Sequence, residues 1–482
     1  MENVLKGLEP KLVLHYFEEL TKIPHGSRNT KAISDYCAAF ARERKLFCRQ
    51  DSFHNVLIRK KASAGYETHP GVIVQGHLDM VCEKEPDCDL DFEKDALRLR
   101  CDGNFIFAEG TTLGGDDGIA VAYALALLDD NSIPHPPLEV ILTVDEEIGM
   151  LGAAAMDLSD VQGRRLLNID SEDEGILTVS CAGGATSEIR LPICPEAAEG
   201  VGYTLRVCGL QGGHSGTEIN AGRLNANVML ARLLDSLCFA APLRLISIQG
   251  GGKDNAIARS AEAAVLVAPE ETRLFEAALV STRSALLEKG WMVEAGLEIT
   301  AEKTVALHAD ALREEASRNA VSLLATLPNG VQAMSKDIPG LVQTSLNMGI
   351  VRMDAQQLSA TFSVRSSVNE EKAALIAELQ RIAAQHGAVY SESGAYPAWE
   401  YRQDSVLRDT MISVFEELYG KKPTVEAIHA GLECGILSGK LPGLDAVSFG
   451  PNMHDIHTTR EKLDIASAKR TWDYLLAVLK RL

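Results

Sequence analysis

"GVIVQGHLDMV", residues 71–81, is an apolar run that ends by presenting a histidine and an aspartate one residue apart. The Val72-Ile73-Val74 core reads as a buried strand, and alternating strand side chains aim His77 and Asp79 the same way. On its own a His-x-Asp pair is the polar end of a strand facing solvent. Its meaning depends on what the rest of the chain delivers.

Four further segments have a similar form. "AEGTTLGGDDGIA" (108–120) is a glycine-containing loop that delivers Asp116 and Asp117 just before a helix. "LEVILTVDEEIGM" (138–150) is an apolar strand ending in Asp145, Glu146 and Glu147. "RRLLNIDSEDEG" (164–175) is another, ending in Asp170. Near the C-terminus, "LDAVSFGPNMHDIHTTRE" (444–461) follows a strand with His454 and His457. In an open α/β sheet, ligands bind beyond the carboxyl ends of the strands. As solvated loop charges these carboxylates would only repel one another.

Carboxylates clustered with imidazoles hold divalent cations, and this donor set suits Zn²⁺, with Mn²⁺ and Co²⁺ as substitutes. One carboxylate can bridge two ions roughly 3.5–4 Å apart. A histidine and a carboxylate per ion plus one bridge requires five residues, and His77, Asp116, Glu147, Asp170 and His457 supply them. Asp79 then orients His77 by accepting its free N–H. Glu146 is left beside a ligand with no ion of its own, as a general base acting on a metal-activated water must be. The chemistry expected is hydrolysis of an amide.

A chain of 482 residues exceeds one compact core, so two or more domains are expected. The formal charge of −20 and the lack of basic clusters argue against a nucleic-acid partner. Ten scattered cysteines without a Cys-x-x-Cys pair suit a reducing compartment. The N-terminus, with Glu2 and regularly spaced charges, reads as an amphipathic helix rather than a signal peptide. No apolar run is long enough to span a bilayer. The expectation is a cytoplasmic enzyme with no membrane partner.

Strand-like and helix-like segments alternate in the first third, which predicts α/β structure with a mostly parallel sheet. Near residue 185 the texture changes to alternating strands, in "ATSEIRLPI" and "GYTLRVCGLQG", as in an antiparallel sheet with one solvated face. "LISIQGGGKDNAIARSAEAAVLVAPEE" (245–271) and "LNMGIVRMDAQQLSATFSVRSSVNEE" (346–371) each read as two strands leading into a helix, a weak internal repeat. After "GAYPAWEY" the α/β texture returns. The division expected is a discontinuous catalytic domain over 1–185 and 395–482, with an inserted α+β domain over 186–394.

Competing motifs fail on inspection. A calcium loop starting at Asp170 would put Cys181 where a bidentate glutamate is required. "GGHSG" (212–216) is not Gly-x-Ser-x-Gly, so no nucleophile elbow is supported.

Taken in order, "GHLDMV", "LGGDDGIA", "DEEIGM", "NIDSEDEG", "GGHSG" and the terminal histidine resemble the zinc-dependent peptidase family that includes aminoacylase, glutamate carboxypeptidases and cytosolic dipeptidases. "LLNIDSEDEG", "HAGLECG" and "NGV…TSLN" are similar to its aminoacyl-histidine dipeptidase branch. The resemblance implies a discontinuous di-metal peptidase domain with an inserted lid or dimerisation-type domain. It makes His77 and Asp170 ligands of one ion and Glu147 and His457 ligands of the other, with Asp116 bridging. Asp79 supports His77, and Glu146 is the base. The histidine in the position of His214 stabilises the tetrahedral intermediate, an imidazole there donating to the oxyanion.

Further positions stay more open. Asn255 sits where related enzymes place a polar group against substrate. Arg365 either binds the substrate carboxylate or is an exposed strand arginine. His429 and Glu433, four apart, would share a helix face near the metals and bind substrate or cap the site. His454 rivals His457 as terminal ligand, and the following "TTRE" favours His457. Asp-Gly follows the bridging aspartate, where many relatives have Asp-Lys-Gly. Family lids pair into homodimers, whereas a lid with an internal repeat could supply both halves itself.

The expected activity is hydrolysis of unblocked dipeptides, Xaa-His and β-alanyl-histidine among them. The alternatives are a deacylase or carboxypeptidase acting on N-acylated amino acids, and a silent binding protein on the same scaffold. The intact Glu146 argues against the last.

Overall fold

The structure is a computed structural model that describes residues 4–482; Glu2, part of the N-terminal reading, lies outside them. The helix expected there runs Lys11–Leu20 and buries Val13, Leu14, Phe17 and Leu20. The chain divides into two compact units. One comprises residues up to 181 with 401–427 and 432–482, the other 182–400 with 428–431.

The first unit is built on an eight-stranded sheet in the order Phe47–Gln50, Val56–Lys60, Leu138–Thr143, Val72–His77, Arg165–Asn168, Asp445–Ser448, Ile176–Cys181, Thr424–Ile428. Its four central strands, Leu138–Thr143 to Asp445–Ser448, are parallel. Val56–Lys60 pairs antiparallel with Phe47–Gln50 and with Leu138–Thr143, and Ile176–Cys181 pairs antiparallel with Asp445–Ser448. Strands Val72–His77 and Leu138–Thr143 are buried at every position, as parallel strands covered on both faces must be. His77 lies opposite Thr143, and Asn168 opposite both Gln75 and Ser448. In-register parallel pairing therefore ends these strands on one edge, where the loops carrying Asp79, Glu146, Glu147, Asp170 and His457 begin.

Helix Gly115–Asp129 packs on Val72–His77 and on Lys11–Leu20. From Ile119 to Leu128 every residue is buried, which is why its sequence is apolar all round rather than amphipathic. The chain enters it through Gly114 at φ +68°; a Cβ there would stand 2.9 Å from Met80 Sδ and in a backbone region that favours glycine. At the other end the buried Lys60 ammonium donates to the carbonyls of Leu127 and Asp130, both at 2.9 Å, closing the helix C-terminus.

A small antiparallel sheet, Met453–His454, Lys462–Asp464, Phe105–Ala108 and Leu99–Cys101, was not foreseen from the sequence. It makes residues 453–464 a hairpin with His457 in its loop.

The second unit carries a nine-stranded antiparallel sheet. Its path is Glu298–Ala311, Glu196–Cys208, Ala261–Val267, Arg244–Gly250, Val342–Met353, Gln357–Ser366, Gly183–Pro192, Val389–Tyr396, with Gly330–Met334 pairing Val342–Met353. Helices Ala226–Ala240, Thr272–Trp291, Glu314–Thr326 and Asn369–Gln385 pack on it around one core. The two repeat-like segments are both antiparallel strand pairs followed by a helix. Among the described residues no helix is long and apolar enough to cross a membrane.

Candidate metal centre and active site

Asp116 stands between two histidines. His77 Nε2 lies 3.1 Å from its Oδ1, and His457 Nε2 lies 3.1 Å from its Oδ2. Asp170 Oδ1 is 3.8 Å from His77 Nε2, and Glu147 Oε1 is 2.9 Å from His457 Nε2. His77, Asp116 and Asp170 form one cluster whose potential ligand atoms lie within 4.8 Å of one another; Asp116, Glu147 and His457 form a second. A third groups His77 with Glu146 and Glu147. His454 is directed elsewhere: it is exposed and packs edge-on against Phe105. The structure thus brings His457, not its rival, to Asp116 and Glu147.

The backbone is shaped for this convergence. Asp116 and Asp117 have non-helical torsions within the first turn of their helix (φ −83°, ψ 105° and φ −117°, ψ 30°). Asp145 and His457 both adopt left-handed backbone, at φ 56° and 59°. Such conformations cost a non-glycine residue about 1 kcal/mol and concentrate at functional sites.

Asp79 does more than expected, and partly by another atom. The nearest acceptor of His77 Nδ1 is the main-chain carbonyl of Asp79 at 2.9 Å, with the carboxylate at 3.6 Å. The chain turns just after His77, which brings that carbonyl to the ring. An Nδ1–H donated there leaves the Nε2 lone pair facing Asp116 and Asp170. The Asp79 carboxylate instead accepts from the N–H of Glu146 (3.0 Å) and Glu147 (3.4 Å) and from Ser27 Oγ (2.8 Å). It ties the end of one strand to the loop of the next.

Glu433 does not share a helix face with His429. Its helix, Glu433–Lys440, begins at Glu433 itself after an extended Leu432, so His429 precedes the helix. Glu433 is buried and accepts from Gln75 Nε2 and Thr143 Oγ1, both at 2.5 Å. Those partners belong to the strands that carry His77 and Glu146.

The remaining candidates lie in the second unit. His214 sits on the short strand Gly213–His214, and its Nδ1 accepts from the N–H of Gly216 and Thr217, both at 3.2 Å. With Nδ1 occupied as acceptor, the neutral ring carries its hydrogen on Nε2. A Cβ on Gly216 would meet the His429 carbonyl at 2.6 Å and His214 Cε1 at 3.0 Å, so His214 and His429 close on this glycine. His429 Nε2 lies 2.7 Å from Ser345 Oγ, one strand over from Arg365 in register. Arg365 reaches Tyr396 Oη at 3.4 Å, and its Nε is buried without a hydrogen-bond partner among the described residues. Asn255 is exposed, and its carbonyl accepts from Ser215 N–H at 2.9 Å.

Residues 73–481 match the peptidase family M20/M25/M40. The chain belongs to that family. It is 36% identical over 487 aligned residues to the cytosol non-specific dipeptidase of Escherichia coli (strain K12), with 99% of each protein covered. The crystal structure of aminoacylhistidine dipeptidase from Vibrio alginolyticus matches with a TM-score of 0.93 at 35% identity, covering 99% of this chain and 98% of that one. Aminopeptidase PepT from Bacillus cereus shares the fold at 14% identity, with a TM-score of 0.56 and 98% of both chains covered.

The electrostatics of this M20-family site call for added positive charge. The three clusters combine four carboxylates with two imidazoles. Burial, opposed by His77 and reinforced by Glu433, Glu147 and Asp116, pushes the Glu146 carboxyl up to about 8. Burial and Asp117 raise Asp170 well above the carboxylate range. Asp116 is buried too, yet the two imidazoles hold it below that range. In return Asp116 and Glu147 raise His457 to about 10. Carboxylates crowded this way ionise together only beside cations, and Asp116 already offers one oxygen to each side. The donor set fits two divalent ions.

Glu172 escaped the sequence reading. Burial and Asp116 push it up to about 7, which places it among the charges of the site. Its only signal was membership of the acidic run after Asp170, where three of four residues are carboxylates and none stands out.

Proposed function

We propose that the chain is a metal-dependent dipeptidase that hydrolyses unblocked dipeptides, Xaa-His and β-alanyl-histidine among them. The observation that carries this reading is Asp116 set between His77 and His457, with Glu146 beside them. His77 and Asp170 would hold one ion, Glu147 and His457 the other, and Asp116 both; zinc suits these donors best. When bound, the ions lower the pKa of water towards neutrality and polarise the scissile carbonyl. Glu146 takes a proton from the attacking water as the C–O bond forms, then returns it to the amine nitrogen as the C–N bond breaks. His214 has the Nε2–H that donation to the developing oxyanion requires. Burial and Arg365 hold its pKa low, so the ring stays neutral. The Arg365 guanidinium suits a substrate carboxylate, with Asn255 and His429 as further contacts and Glu433 supporting the strand ends.

Residues 186–394 are the lid in this reading; such a lid either pairs with a second copy in a homodimer or, through its internal repeat, supplies both halves itself, and sedimentation decides between dimer and monomer. The ten scattered cysteines, with no Cys-x-x-Cys pair, and the Escherichia coli relative's designation support the cytoplasm.

The test is histidine release from β-alanyl-histidine and glycyl-histidine by the zinc-loaded protein, beside an N-acetylated amino acid. Cleavage of the free dipeptides alone is expected. Cleavage of only the acetylated compound would make the protein a deacylase.

A further inference from the structure

Four consecutive main-chain N–H groups of the glycine-rich loop converge on one carboxylate. Glu461 Oε2 accepts from Leu113 (2.7 Å) and Gly114 (3.2 Å), and Oε1 accepts from Gly115 (2.8 Å) and Asp116 (3.3 Å). The residue is only 3% exposed. A buried carboxylate is tolerated only when its lone pairs are satisfied, and four N–H donors fill its capacity. Glu461 follows His457 by four residues, in the same hairpin loop. That loop is pinned within itself, since Thr458 Oγ1 donates to the Asp455 carbonyl (2.7 Å) and Glu461 N–H to that of Thr458 (3.1 Å).

We infer that Glu461 is a positioning residue that locks Asp116 and His457 into one unit and thereby sets the affinity of both metal sites. The inference builds on the reading of Asp116 as the shared ligand. Asp116 has non-helical backbone although it stands in the first turn of a helix. Its N–H and the three before it have no carbonyl four residues back to bond, and a carboxylate at a helix N-terminus is their natural acceptor. Without Glu461 those N–H groups must find other partners, and the loop is free to relax towards a regular helical start. That turns the Asp116 side chain away from the midpoint between His77 and His457. The hairpin loses its hold on the glycine loop at the same time, and His457, in left-handed backbone, depends on that hairpin for its place. A residue that touches no substrate but holds a shared ligand should alter metal affinity at both sites and leave substrate affinity alone.

Two variants test this. Glu461→Gln keeps the shape but replaces one acceptor oxygen with an amide that faces N–H donors. Gly115→Ala keeps the charge: its Cβ would stand 3.2 Å from Glu461 Oε1 and 3.2 Å from Met453 Sδ, so the carboxylate must give by a few tenths of an ångström within its cradle. Metal-free proteins, shown folded by circular dichroism, are titrated with Zn²⁺ against a chromogenic chelator. Expected for Glu461→Gln is a loss of roughly 10- to 100-fold in zinc affinity at both sites, with KM for β-alanyl-histidine unchanged at saturating zinc. Gly115→Ala should move the same way by a smaller factor. Either folded variant binding two zinc ions as the unmodified protein does overturns the role of Glu461, and Gly115→Ala decides if Glu461→Gln does not fold. An unmodified protein that binds no zinc overturns the metal centre instead.

Discussion

Asp79, Glu146 and His429 show how single side chains carry separable roles in chemistry and stability. Removing the Glu146 carboxylate in Glu146→Ala should lower kcat by roughly 10²–10⁴-fold or more, because the proton then has no carrier. Zinc content should stay near two per chain, since the ligands assigned to the ions remain; elemental analysis beside the assay checks both. Asp79→Ala should cost roughly 10- to 100-fold in activity by a different route. It frees the N–H groups of Glu146 and Glu147, so the base and its neighbouring ligand lose their common anchor. His429 gives a pH signature. Burial first, then Arg365, lower its pKa from 6.5 to about 4. The unfolded chain therefore binds a proton there near pH 6.5 that the folded chain refuses until about pH 4. The stability this site contributes is full above pH 6.5 and falls as pH drops, by up to roughly 3 kcal/mol near pH 4. Denaturant unfolding of the metal-free protein at pH 7 and pH 4.5 should lose this component in His429→Gln.

At the scale of the element, the strand ends were the readable part. Val72–His77 and Leu138–Thr143 announce themselves as largely apolar runs, and the proposed ligands lie at or within a few residues of their ends, so local sequence contains both strand and candidate site. Parallel pairing then makes one edge of them without further information. What local sequence lacks is the identity of distant partners. Nothing near Glu461 marks it as the acceptor for a loop some 346 residues away, nor does anything near Glu433 point to Gln75 and Thr143. The antiparallel flanks and the small sheet holding the His457 hairpin are likewise products of long-range pairing. His429 and Glu433 misled because their spacing suits a helix, while the extended Leu432 between them ends that register. Lys60 offers a test at this scale. Lys60→Met leaves the carbonyls of Leu127 and Asp130 without their donor and should cost roughly 1–3 kcal/mol of stability. Because the site lies at the other end of that helix, KM should be unchanged.

For the whole molecule, the metal centre is also a stability element. Ions that bind only the folded chain stabilise it by about 2.7 kcal/mol per site at a free concentration 100 times Kd. They also relieve the repulsion among the carboxylates of the site. Chelation should therefore lower the melting temperature, and zinc should restore it, whereas Asp116→Ala should respond little to either. The division into two units was legible as a change of texture near residue 185, because parallel and antiparallel sheets bury their strands differently. In the proposed dipeptidase, Asp116 serves two ions at once. The most direct measurement of this is histidine release from β-alanyl-histidine as the metal-free protein is titrated with Zn²⁺. Turnover should reach its plateau only with the second equivalent, and N-acetylhistidine should remain uncut throughout. A plateau at one equivalent, or full turnover without added metal, would contradict this double role.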